Sequence, residues 1–565
     1  MTATAKALAL ALLTTAAAPA LAQTAPETLR TAQAGQTGID AETLTEIAGT
    51  LASDQFEGRA PGTAGEDKTI GYLIGRFEAL GLEPGGVDGG WTQAVPLLHT
   101  QLGTPETLQV TVGGQTTDWT FPRDVYVSTL QPKNMAAIDG ADMVFVGYGV
   151  DAPERQWDDF KGQDLKGKVA VFLVNDPDFA AQQNEPVSGK FKGRTMTYYG
   201  RWTYKFEEAA RRGAIGALIV HETEAAGYGW NVVESPGGEN YDIVRQPEDV
   251  TSLALQGWIS GDAAQKLFAD AGQDLAKLRT QARSASFRPV PLKATMTARF
   301  PVTQEVVKSQ NVLAKIPGTT RPGEVVMYGA HWDAYGEGPP DENGKIYRAG
   351  ANDDALGIAG MMEIARLMKA DEAPKRSVVF AAWTAEERGL LGSEYYAQDP
   401  IYPIETTVAN LTLDILQTAG KAKDVLLIGK GQGTLEDDLA TYAKAQGRTV
   451  TPESLPERGL FYRADHFSMA KRGVPVLLMM GISGATDLVD GGKEAGQAWV
   501  DAYTGNCYHQ ACDAVSDDWD LAGAVQDISL MYAIGADLAR SDRWPGWKDG
   551  SEFKAIREET AAARR

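Results

Sequence analysis

A chain of 565 residues is too long for one ordinary core, so more than one structural unit is expected. With 43% hydrophobic and 23% charged residues it reads as a packed globular protein, not a disordered one. A net charge of −22 argues against nucleic acid or an anionic membrane surface as partner.

The first 22 residues read as a secretory signal peptide. Lys6 precedes a short Ala/Leu run, and Ala20-Leu21-Ala22 offers small residues for a cut near Ala22. No later stretch reaches ~18 continuous apolar residues, so no integral membrane segment is expected in the mature protein. A periplasmic or secreted location follows. Next come two helical patterns around a Gly/Pro-punctuated loop, in "ETLTEIAGTLASDQFEGRAPGTAGEDKTIGYLIGRFEALGL". From about Asp142 the texture changes to short β-like runs, "MVFVGYGV", "KVAVFLV" and "IGALIVHE", with a helical pattern, "YKFEEAARRG", before the last. From Asn311 the pattern alternates strand and helix, with "EVVMYGA", "SVVFAAW", "ANLTLDIL" and "VPVLLMM" as the strands. That alternation predicts an α/β fold, a mainly parallel mixed sheet covered by helices on both faces. Residues 546–565 read as a charged C-terminal tail.

The strands of the last block run into chemically loaded residues. "EVVMYGA" leads to His331 and Asp333, "SVVFAAW" to Glu386 and Glu387, and "NLTL" to Asp414. In open α/β sheets ligands bind beyond the carboxyl ends of the strands, so these groups should share one crevice. In "GANDDALG", Asp353 and Asp354 stand together at a helix start. One acid there caps free N–H groups. A second beside it repels the first unless a cation intervenes. Taken singly these residues have ordinary readings: a histidine after a buried strand is commonly a hydrogen-bonded structural residue, and paired glutamates a solvated helix start. Together they supply His and carboxylate ligands without a thiolate, plus a spare acid, which suits zinc hydrolysis. Cys507 and Cys512 are the only cysteines, and in an oxidising compartment the simplest expectation is a disulfide closing a small loop.

The ordered set "SDQFEGRAPGTAGE", "HWD", "GANDDALG", "EERGLLGS", "LDIL", "RADHF" and "YHQACD" resembles the co-catalytic two-zinc exopeptidases, the group of secreted bacterial aminopeptidases, glutamate carboxypeptidases and the transferrin receptor. The resemblance implies two Zn²⁺ per chain, one held by His331, Asp353 and Asp414, the other by Asp353, Glu387 and His509, with Asp353 bridging. Glu386 becomes the general base, Asp333 orients the His331 ring, and Tyr508 hydrogen-bonds the tetrahedral intermediate. A metal-bound hydroxide would supply the negative charge that Asp353, Glu387 and Asp414 leave wanting against two dications.

The implied organisation is a peptidase domain begun over residues 23–135 and completed over 293–545, with a β-rich protease-associated insert over 136–292. The implied reaction is aminopeptidase hydrolysis of peptide substrates. The alternatives are a glutamate-type carboxypeptidase or dipeptidase, a one-zinc glutaminyl cyclase on the same fold, and a non-enzymatic binding protein that has lost its ligands. Two departures from the usual pattern, Leu356 and Ala464 where relatives often carry Ser, bear on substrate fit. His466 is open between a loop residue and one facing the substrate. Neither the preferred N-terminal residue nor the oligomeric state is legible.

Overall fold

The computed structural model describes residues 38–564. The signal-peptide reading over residues 1–22 lies outside them. Among the described residues no helix is long and apolar enough to cross a membrane.

The expected sheet is built from β1 (Thr92–Leu102), β2 (Val290–Ile316), β3 (Arg321–His331), β4 (Arg376–Trp383), β5 (Thr407–Leu413) and β6 (Val476–Met479). Its order is β6-β5-β3-β4-β2-β1. The strands β6, β5, β3 and β4 are mutually parallel, while β2 runs antiparallel to both β4 and β1. Every residue of β4 and β5 is buried, as expected for central strands covered on both faces.

Side chains alternate between two cores. Val326, Tyr328, Val378, Phe380 and Leu411 face helices α1 (Leu356–Ala370) and α2 (Ala522–Arg540). Met327, Val379, Ala381 and Trp383 face Tyr396, Phe467 and Phe553 on the other side. Each such Val, Leu, Ile or Phe gains about 1.5–3 kcal/mol on leaving water. Leu356 and Ala464 are fully buried core residues, one in each cluster, so neither lines a substrate surface.

A second sheet is joined to the first through β2. The Val290–Pro301 half of that strand pairs with Met135–Phe145, followed by Val169–Leu173, Gly216–Val220, Leu255–Ile259 and Val125–Ser128. On its other side stand Thr107–Val112 and Gln115–Asp118. The strands of this middle unit therefore begin upstream of residue 136. Of the early ones, Thr107–Val112 alternates polar with apolar residues and Gln115–Asp118 is polar throughout, so neither reads as a buried apolar run.

The C-terminal segment is only partly the charged tail expected. Helix Lys554–Glu559 exposes charge, but Trp547 and Phe553 are buried, with the Phe553 ring against Phe461, Phe467 and Trp547. A few apolar anchors in a charged stretch were enough to dock it.

Candidate metal centre

Because β3, β4 and β5 are parallel, their carboxyl ends lie along one edge. His331 pairs in register with Trp383, and the Trp332 N–H donates to the Trp383 carbonyl at 2.9 Å. His331 ends β3, Glu386 and Glu387 follow β4, and Asp414 follows β5.

The two aspartates after β3 take different tasks. Asp354 is fully buried; its Oδ1 accepts the Gly357 N–H and its Oδ2 accepts the His331 N–H, each at 3.1 Å. It thus ties the first turn of α1 to the end of β3. A Cβ at Gly357 would sit 2.0 Å from the Asp354 Oδ1, which explains that glycine. Gly350, at φ 54°, brings its α-carbon so near the Asp353 carbonyl that a Cβ would lie 2.1 Å away. The Asp353 N–H donates to Asp513 at 3.1 Å, and Asp353 points both oxygens into the crevice. Oδ1 lies 3.1 Å from His331 Nε2, and Oδ2 lies 3.3 Å from His509 Nε2.

Two triads result. The ligating atoms of His331, Asp353 and Asp414 all fall within 4.8 Å of one another, as do those of Asp353, Glu387 and His509. Glu387 Oε2 is 3.2 Å from His509 Nε2. The donor set of imidazoles and carboxylates fits zinc. Its details fit too. His331 Nδ1 is 3.0 Å from the Asp333 carbonyl, which can only accept, so Nδ1 carries the proton. Nε2 is thereby turned toward Asp353 Oδ1, and it is the nitrogen that the neutral ring would offer to a cation shared with that oxygen. Asp353 Oδ2 and Asp414 Oδ1 are buried and have no hydrogen-bond partner among the described residues. Orphaned buried oxygens of this kind are expected where an ion belongs.

The electrostatics agree. Burial first, then the neighbouring carboxylates, lift Glu386, Glu387 and Asp354 well above the usual carboxylate range. Asp414 is pushed up to about 8 by burial and by Asp353. Asp353 is the exception: against the effect of burial, His331 and His509 hold it low. An interior holding this much like charge is relieved by cations.

Asp333 stands beside the His331 ring and also serves a second group. Its Oδ1 is 3.6 Å from His331 Nδ1, farther than its backbone oxygen, while its two carboxylate oxygens accept the N–H groups of Glu386 (3.0 Å) and Glu387 (3.4 Å). It shapes the turn that presents both glutamates, and the ring is held by its carbonyl. Glu386 belongs to neither triad, yet its Oε2 is 3.9 Å from His331 Nε2. His466 is wholly buried, edge-on to Phe461, and burial pushes its pKa down to about 3. It does not face a substrate.

Tyr508 and His509 stand in a loop closed by the Cys507–Cys512 disulfide. Their rings lie 3.6 Å apart between centroids, and Tyr335 covers His509 at 4.6 Å. Arg463 is half-buried in the neighbourhood of Tyr508, Tyr228, Glu386 and Tyr335; Tyr228 comes from the middle unit.

Four contributors escaped sequence reading. Arg59 is fully buried, and its guanidinium donates to the carbonyls of Trp332 (2.7 Å), Leu51 (2.8 Å), Ala349 (2.5 Å) and Gly350 (2.9 Å). It clamps the N-terminal segment to both loops that carry ligands. Asp513 accepts the N–H groups of Asn352 (3.0 Å) and Asp353 (3.1 Å) and the Tyr503 hydroxyl (3.0 Å). Tyr335 and Arg463 complete the rim. Arg59, Asp513 and Arg463 lie inside the quoted runs "FEGRAP", "QACD" and "RADHF", which was the available signal.

Residues 311–533 match the family model described as Peptidase family M28. Among curated relatives, the "Probable lipoprotein aminopeptidase LpqL" of Mycobacterium tuberculosis is 25% identical over 45% of this chain and 50% of its own length. "Leupeptin-inactivating enzyme 1" of Streptomyces exfoliatus is 28% identical over 40% of this chain and 47% of its own. "Aminopeptidase Y" of Saccharomyces cerevisiae is 29% identical over 38% and 36%. The chain thus spans half or less of the length of these relatives. A solved structure, the "Aminopeptidase from Aneurinibacillus sp. strain AM-1", is 19% identical with a TM-score of 0.47 over 92% of this chain and 97% of that one.

Proposed function

We propose that this chain, whose residues 311–533 belong to peptidase family M28, is an exported two-zinc aminopeptidase. The observation that carries the reading is the pair of His/carboxylate triads meeting at Asp353. His331, Asp353 and Asp414 would hold one ion; Asp353, Glu387 and His509 would hold the other. When bound, a zinc pair supplies Lewis acidity toward water and the scissile carbonyl. Glu386 takes the proton of the attacking water and delivers it to the leaving amine. Asp333 fixes the backbone of that glutamate, and Tyr508 donates a hydrogen bond to the oxygen on which charge develops. On this reading the middle unit is a protease-associated insert that covers one side of the cleft.

The relatives' names support attack from the N-terminus over the carboxypeptidase reading. The second triad disfavours a one-zinc cyclase, and the filled ligand positions disfavour a non-enzymatic receptor. Export is supported by the leader-like first 22 residues and by the closed disulfide, which belongs in an oxidising compartment. The test is a panel of aminoacyl-anilides and N-blocked peptides with and without chelator. Free-amino substrates should be cleaved, N-blocked ones spared, and chelator should abolish turnover. Cleavage of the blocked peptides would overturn the assignment.

The disulfide gives a separate prediction. Its loop is short, so its entropic contribution to stability is small. The Cys507→Ser/Cys512→Ser variant should fold and keep its metal but lose rate through misplacement of Tyr508, by up to ~10²-fold. Thiol titration of the denatured, unreduced wild type should find no free thiol.

A further inference from the structure

Glu552, in the C-terminal segment, has a side chain only 3% exposed, and no step of the reaction uses it. Its Oε1 accepts the Tyr462 hydroxyl at 2.7 Å and the Tyr198 N–H at 3.3 Å; the Gln432 amide lies 3.4 Å from both oxygens. Arg155 and Lys192 approach Oε2 at 3.7 and 4.0 Å. Arg155, Lys192 and Tyr198 belong to the middle unit; Gln432 and Tyr462 belong to the peptidase unit. One buried carboxylate from a third segment therefore gathers donors from both.

The two units touch closely at this point. The Met196 N–H donates to the Pro456 carbonyl at 3.1 Å, and a Cβ at Gly459 would lie 2.6 Å from the Met196 sulfur. The rings of Tyr198 and Phe467 lie 5.3 Å apart. Both pinned residues lead to the cleft. Tyr462 precedes Arg463, whose neighbourhood includes Tyr508 and Glu386, and the Tyr198 turn leads into Arg201, which is buried in the neighbourhood of Arg463 and Tyr228.

From this geometry we infer that Glu552 is a positioning residue: it fastens the middle unit's Tyr198 and the peptidase unit's Tyr462 to one point, and so sets how the middle unit's wall stands over the substrate cleft. The inference rests on the aminopeptidase reading for its kinetic consequence, but not for its structural one. Loss of the carboxylate frees both segments, removes the ion pair of Lys192 and leaves Arg155 with Glu154 alone. Binding of a peptide that reaches the wall suffers, while the centre that performs hydrolysis is untouched.

The test compares wild type, Glu552→Ala, Glu552→Gln and Arg557→Ala. Arg557 anchors the same segment to the Thr407 carbonyl, away from the cleft. Glu552→Ala should raise KM for an unblocked tetrapeptide by about tenfold, a modest share of what misplacement can cost. Its kcat on an aminoacyl-anilide should stay within about twofold of wild type, and its zinc content should be unchanged. Glu552→Gln, which can still accept from Tyr462 and Tyr198, should recover most of the KM. Arg557→Ala should lower thermal stability without moving KM.

Hydrogen exchange over residues 190–201 and 455–466 should rise in Glu552→Ala and not in Arg557→Ala. Unchanged exchange in both segments overturns the inference whether or not the protein cleaves peptides. So does an unchanged KM in a protein whose wild type cleaves both substrates. Wild-type protein that cleaves neither substrate overturns the aminopeptidase reading instead, and exchange then decides the role of Glu552.

Discussion

Replacing Glu386 with Gln is expected to remove nearly all turnover while leaving the metal complement intact. The side chain stands beside the first triad without belonging to either, 3.9 Å from His331 Nε2. Its amide is fixed by Asp333 at 3.0 Å, so the substitution should leave the backbone in place. Burial, with Asp414 and Glu387 nearby, raises its affinity for a proton, which suits a group that must accept one and pass it on. Loss of a general base typically costs ~10²–10⁴-fold in rate. The adjacent Glu387→Gln should behave differently, because Glu387 lies 3.2 Å from His509 within the second triad. That variant should lose metal as well as rate. Identical behaviour of the two variants, in metal content and in turnover, would refute the division of labour between them.

The second large effect is expected at Asp353. Its oxygens face His331 at 3.1 Å and His509 at 3.3 Å, so one carboxylate serves both triads. Asp353→Asn should therefore weaken binding of both ions, and by more than the ~10–100-fold that losing an outer hydrogen-bond partner costs. Asp414→Asn should chiefly affect the ion at His331. Metal analysis after dialysis separates the cases: an Asp353→Asn variant that keeps its full complement would show that the triads do not share it.

Much of the arrangement was legible because strand ends carry it. Four near-continuous apolar runs announced parallel strands, and the residue after each run is fixed in space by the sheet; hence His331, Glu386, Glu387 and Asp414 converge. The Asp353-Asp354 pair was readable from chemistry, since a helix cap needs one acid and a cation explains the other. What stayed hidden depends on long-range partners. Nothing local marks Arg59 as a clamp on carbonyls more than 270 residues away, because any arginine in a loop reads as solvated. Asp333 was assigned to a ring, and that the left-handed turn at Ala385 also brings the amides of Glu386 and Glu387 to its carboxylate depends on a partner strand that the local sequence does not show. The docked C-terminal segment hid behind its composition, in which a buried Glu552 looks like any surface glutamate.

The central claim is that one carboxylate joins two ion sites, and the most direct measurement is the zinc content of the protein purified without chelator. The account predicts close to two ions per chain, with anomalous scattering placing them ~3.5–4 Å apart on either side of Asp353. A reproducible content near one ion per chain would contradict it.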